Sequence, residues 1–166
     1  MKVLGIDPGT AILGFGVVQR DARGTLALLE CGVLRTAARD PLPVRLQQLF
    51  DGVTALLRRH QPDALAIEGT FVGKNVRTTM VLSHARGVIL LAAQQAGVAI
   101  AEYSPSTIKK SVVGRGLAQK AQVGYMVAQR LRLATPPTPA DAADGVAIAL
   151  THFMAGPLRP SAKAAV

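Results

Sequence analysis

Apolar residues recur along this chain in two rhythms. Residues 2–7 (K-V-L-G-I-D), 12–20 (I-L-G-F-G-V-V-Q-R) and 25–35 (T-L-A-L-L-E-C-G-V-L-R) are short, almost continuous apolar runs. Punctuated by P-G-T at 8–10 and D-A-R-G at 21–24, they predict three strands joined by turns, an antiparallel meander. Gly14 and Gly16 in the second run allow close backbone approach or a bulge. The rhythm then lengthens. Val44, Leu46, Leu49, Phe50, Val53, Leu56 and Leu57 recur at helical spacing and predict an amphipathic helix over 44–60. Pro62 and Asp63 stop it, and A-L-A-I-E at 64–68 reads as a central strand.

Residues 69–75 form a loop, and 76–96 a long helix that Gly97 terminates. A fifth strand follows at 98–103, then helices at 105–113 and 119–132 across G-R-G at 114–116. The proline-rich 134–140 serves as a rigid connector to a last helix, 141–154. Strand and helix alternate in the second half, as a parallel sheet layer requires. The pattern predicts one α/β domain over 1–155, with an antiparallel meander followed by alternating strands and helices. The small, basic residues 156–166 are expected to be a disordered tail.

Composition narrows the partners. Nineteen lysines and arginines face ten acids, a net charge of +9. Such a surface attracts polyanions, with binding that weakens as salt rises. The N-terminal apolar run is cut by Asp7 and Pro8, so no secretory signal is expected, and no stretch approaches a membrane span. Cys31 cannot form an internal disulfide; among Leu28, Leu29 and Val33 it is expected to be a buried, inert thiol in a reducing cytoplasm. His60, His84 and His152 offer no ligand spacing with it and are read as structural.

Against this basic background four acids stand out by position. Asp7 and Glu68 each end an apolar strand, and Asp141 and Asp144, three residues apart, share a face at the start of the last helix. Each has an ordinary alternative: Asp7 in an Asx-turn, Glu68 in a buried ion pair, Asp141 and Asp144 as helix caps. Jointly they could hold two magnesium or manganese ions, a pair suited to phosphodiester hydrolysis.

G-I-D-P-G-T with G-F-G-V-V, A-I-E-G-T-F-V-G-K-N and D-A-A-D-G-V-A-I-A-L-T-H resemble the motifs of the RuvC family of Holliday junction resolvases, in order over about residues 1–153. The resemblance implies a ribonuclease H-like fold with a five-stranded mixed sheet flanked by helices, a homodimer and paired nicks in opposed strands of four-way junction DNA, alongside the RuvA/RuvB branch-migration complex. It makes Asp7, Glu68, Asp141 and Asp144 the catalytic, metal-binding carboxylates, and places Lys109 and Lys120 near the scissile phosphate. Phe71 would wedge against bases at the branch point. Lys74, Asn75, Arg77, Arg86, Lys110 and Arg115 would contact DNA, chiefly its backbone. Where the family more commonly reads Q-V-F after the catalytic Glu, this chain has Gly69, Thr70 and Phe71. Apolar Met80, Val81, Leu82, Val88, Ile89, Leu90 and Leu91 exceed one core stripe, so the long helix is expected at the dimer contact. Two competitors remain: a non-catalytic junction-binding protein, and an actin-like ATPase or sugar kinase, whose first phosphate loop D-P-G-T also resembles. The second needs another lobe, for which 166 residues leave no room.

Overall fold

The structure, a computed structural model, describes residues 1–69, 76–116 and 118–155. Its elements run β1 (Lys2–Asp7), β2 (Ile12–Arg20), β3 (Leu26–Arg35), α1 (Leu42–His60), β4 (Ala64–Glu68), α2 (Val76–Gln95), β5 (Ala99–Tyr103), α3 (Pro105–Val113), α4 (Lys120–Leu131) and α5 (Ala140–Met154). The strands form one sheet in the order β3-β2-β1-β4-β5. β1, β2 and β3 pair antiparallel, as the meander predicts, and β4 and β5 join parallel to β1. Helix α1 begins at Leu42, two residues earlier than the periodicity suggests, because Pro41 and Pro43 occupy the helix start, where a missing N–H costs nothing.

Strand alternation divides the core in two. Leu4, Ile6, Leu65 and Ile67 point to one face and pack with Leu49, Val53, Leu56, Ala85 and Ile89 of α1 and α2. Val3, Ala66, Ala101 and Tyr103 point to the other and pack with α3, α4 and α5. The same period of two carries Asp7 and Glu68 onto the α5 face. Cys31 is only half-buried, since β3 is an edge strand; burial nevertheless pushes its thiol pKa up, which keeps it unreactive.

Helix α5 lies against β1 and β2 with almost nothing between the backbones. A Cβ at Gly5 would stand 2.2 Å from the Gly145 carbonyl oxygen, at Gly14 1.9 Å from that of Asp141, and at Gly145 2.5 Å from Phe15 Cα. Backbone cannot yield as a flexible side chain does, so these glycines set the height of α5 above the sheet. Its apolar circumference follows: Ala142, Ala143, Val146, Ala147, Ile148, Ala149 and Leu150 are all buried.

Gly145→Ala is therefore expected to destabilise the fold by about 1–3 kcal/mol through overpacking, read as a lower Tm. Gly87→Ala, on a face of α2 where a Cβ meets nothing within 4 Å, should leave Tm unchanged or raise it.

Candidate active site

Parallel strands β1 and β4 end side by side, and a crevice opens beyond their carboxyl ends, where ligands of open α/β sheets bind. Asp7 and Glu68 are the last residues of these strands. The first turn of α5 overlies the crevice because Gly14, paired with Asp7, lets the Asp141 backbone rest on β2. Carboxylate oxygens of Asp7, Asp141 and Asp144 thereby lie within 4.8 Å of one another. Glu68 joins from the other side, hydrogen-bonded to Asp7 and close enough to Asp144 to feel its charge.

The ordinary alternatives for these acids do not describe the arrangement. No side chain caps α5; Asp141 and Asp144 both face Lys120, whose Nζ donates to Asp144 at 2.6 Å and to Asp141 at 3.2 Å. Lys120 is the first residue of α4, and Gln122 fixes that helix start by accepting from the Gln119 N–H at 3.0 Å. The bonds to Asp144, then Asp141, raise the Lys120 pKa and keep it charged. Lys109 sits on α3, whose start is capped by Ser104 accepting from the Thr107 N–H at 3.1 Å. Asp7, Glu68, Asp144, Lys109 and Lys120 line a single cavity of about 300 Å³, with Ile108, Val123 and Ile148 as its apolar wall. A larger hollow of about 500 Å³, between the ends of α1 and α2, contains no acid and lies away from this chemistry.

Burial drives the Asp7 pKa up to about 7, reinforced by the negative charges of Glu68 and Asp144. Burial also raises Glu68, while Lys109 and Lys120 pull it down. A buried carboxylate that holds its proton this far above its normal range, beside other acids, is short of positive charge. Hard oxygen donors at this spacing suit a divalent cation, and the Lys120 ammonium supplies part of that charge already.

The comparisons with known proteins follow this geometry. The family model described as crossover junction endodeoxyribonuclease RuvC matches residues 3–152. The chain belongs to that family. It is 50% identical over 157 residues to the crossover junction endodeoxyribonuclease RuvC of Chloroflexus aggregans, 95% of each chain. Among solved structures it resembles Thermus thermophilus RuvC, with 37% identity and a TM-score of 0.85 over 93% of this chain and 95% of that one. It likewise resembles T. thermophilus RuvC in complex with Holliday junction substrate, with 36% identity and a TM-score of 0.87 over 93% and 94% of the two chains. The fold is ribonuclease H-like, as the motifs imply.

The remaining positions divide three ways. Phe71, Lys74 and Asn75 lie outside the described residues, as does the segment 156–166. Arg77, Lys110 and Arg115 are exposed and do not line the cavity. Arg86, expected to contact DNA, has a side chain only 11% exposed, paired with Glu102 and bordering a hollow it shares with Asp7 and Glu68. The histidines have local roles. His60 pairs with Glu30 at 2.6 Å, His152 shares a 3.0 Å hydrogen bond with the Tyr103 hydroxyl, and His84 is exposed. Sequence reading missed the cavity wall, and Pro105 with it; the signal was Pro105 two residues past the end of β5, which marks a helix starting at the same crevice.

In the fold Asp7 keeps its proton to about pH 7, whereas the unfolded chain releases it near 3.8. Between those values the folded state binds more protons, so this contribution to stability falls as pH rises through the window and is flat above it. For EDTA-treated protein, Asp7→Asn should raise Tm at pH 8 by several degrees and flatten that fall; superimposable melting curves would contradict it.

Proposed function

We propose that the chain is a dimeric, metal-dependent endonuclease that resolves four-way DNA junctions. It would nick opposed strands in pairs, leaving 5'-phosphate and 3'-hydroxyl ends, in recombination and repair. The observation that carries this reading is a cavity lined by three acids, Asp7, Glu68 and Asp144, and two lysines, with Asp141 close beside Asp7 and Asp144, in a basic chain of this family. T. thermophilus RuvC, solved with a Holliday junction substrate, supplies the substrate class by likeness.

Asp7, Glu68, Asp141 and Asp144 would hold two magnesium or manganese ions, whose chemistry is to supply a nucleophile at neutral pH and to offset charge on the phosphodiester. Lys109 and Lys120 would neutralise the non-bridging oxygens, most strongly as charge builds at phosphorus. Ile108, Val123 and Ile148 would exclude water on one side, strengthening each electrostatic contact. Arg77, Lys110 and Arg115, with Lys74 and Asn75, would position the duplex arms through phosphates, and Phe71 would stack at the branch point. A two-fold dimer supplies two sites for two symmetric cuts. Exposed Val76, Met80 and Leu91 on α2 are apolar surface suited to that contact. RuvA/RuvB would be the partner machinery, and the cytoplasm the setting. No helix among the described residues is long and apolar enough to cross a membrane.

On a synthetic four-way junction with Mg²⁺ or Mn²⁺, wild type should nick opposed strands at symmetric positions. Asp7→Asn and Asp144→Asn should each reduce nicking by about 100-fold or more while binding the junction as wild type does. Full nicking by either variant would refute the assignment, leaving a non-catalytic binder or another nuclease centre. Phe71→Ala should slow resolution without changing metal affinity; unaltered kinetics would remove Phe71 from the site.

A further inference from the structure

We infer that Arg86 is a positioning residue for Glu68, standing in for a backbone donor that Pro8 cannot provide. This rests on the nuclease reading above. In a parallel ladder, a residue that bonds a neighbouring strand donates its N–H to one residue there and accepts at its carbonyl from the residue two further on. Gly69 donates to the Tyr103 carbonyl at 2.8 Å, so it faces β5, and by alternation the main chain of Glu68 faces β1. Ile6 pairs with Ile67, and one more step of that register sets Asp7 opposite Glu68. The ladder donor to the Glu68 carbonyl would then be the N–H of residue 8. Residue 8 is proline and has none.

Arg86 fills that place. From α2, on the face of the sheet opposite the acids, its Nη1 donates to the Glu68 carbonyl oxygen at 2.7 Å. Its Nη2 pairs with Glu102 of β5, the cross-strand partner of Ile67. One guanidinium thus spans the exposed end of β4, tying it to β5 and to α2. Both terminal nitrogens are engaged, while the side chain also borders a hollow lined by Asp7, Pro8, Glu68 and Gly69. Glu102 is half exposed and lines neither the acid cavity nor the adjoining hollow beside Arg86. Its role is to hold the arginine. The consequence is a fixed direction for the Glu68 carboxylate, set from behind the sheet.

Positioning and DNA contact predict opposite behaviour at Glu102. If Arg86 positions Glu68, then Arg86→Gln, Arg86→Lys and Glu102→Gln each weaken Mn²⁺ binding, measured by calorimetry on EDTA-stripped and dialysed protein, or lower kcat for junction nicking. Outer partners of metal ligands typically contribute about 10–100-fold. Junction Kd and its salt dependence stay within about twofold of wild type, and the double variant Arg86→Gln/Glu102→Gln is no worse than either single one. If Arg86 instead contacts phosphate, Arg86→Gln weakens junction binding with a shallower salt slope, while Glu102→Gln, which removes a negative charge, binds as tightly or tighter; that result overturns the inference. Glu102→Gln is a surface change and keeps the test open should the Arg86 variants not fold. Wild type assayed in parallel separates this inference from the nuclease reading: if wild type does not nick junctions, that reading fails, whereas Mn²⁺ affinity still reports on Arg86.

Discussion

The bare contact between α5 and the first two strands sets the geometry of the site. Gly5, Gly14 and Gly145 remove the side chains that would otherwise keep a helix about 10 Å from a sheet. The first turn of α5 consequently sits low enough for Asp141 and Asp144 to share space with an acid at a strand end. An ordinary helix-on-sheet spacing would hold the same four residues apart. Packing, at positions that carry no chemistry, thus fixes the distances between groups that do.

That closeness is unfavourable by itself. Burial and like charge oppose ionisation of Asp7, and Glu68 is pushed in the same direction. Lys120 offsets part of the excess on the α5 side, bonding both aspartates, and Lys109 acts on Glu68. Five elements, β1, β4, α3, α4 and α5, each supply at least one of these charges, so the site exists only in the assembled domain. Its charges are in tension with folding, as expected where function rather than stability has selected the side chains.

Much of this was legible in the sequence because both rhythms were strong. The strands and helices fall where period-two and helical patterns place them, and the four acids were conspicuous against so basic a background. The partners of Arg86 were not legible because sequence cannot show which face of a helix turns inward when that helix is apolar on several sides; nothing local distinguishes it from the exposed Arg77. Glu102 was invisible for a related reason, as an acid on an edge strand reads as a solvated residue. Pro41 and Pro43 open α1 two residues before its apolar periodicity begins. Arg86 and Glu102 act through contacts made between distant segments, and residue pattern is blind to those.

Strand alternation carries one more implication. Asp7 and Glu68 share a face only because β1 and β4 are in a particular register, Ile6 beside Ile67. Inserting or deleting one residue within either strand would send its acid to the α1–α2 side, into the packing of Leu65 and Ile67, and bring an aliphatic side chain to the crevice. Change of length in this chain is thus tolerable in its connections, such as 21–24 and 36–41, and inadmissible within the two central strands. Drift in the family can remodel what surrounds the crevice while the spacing inside these strands stays frozen.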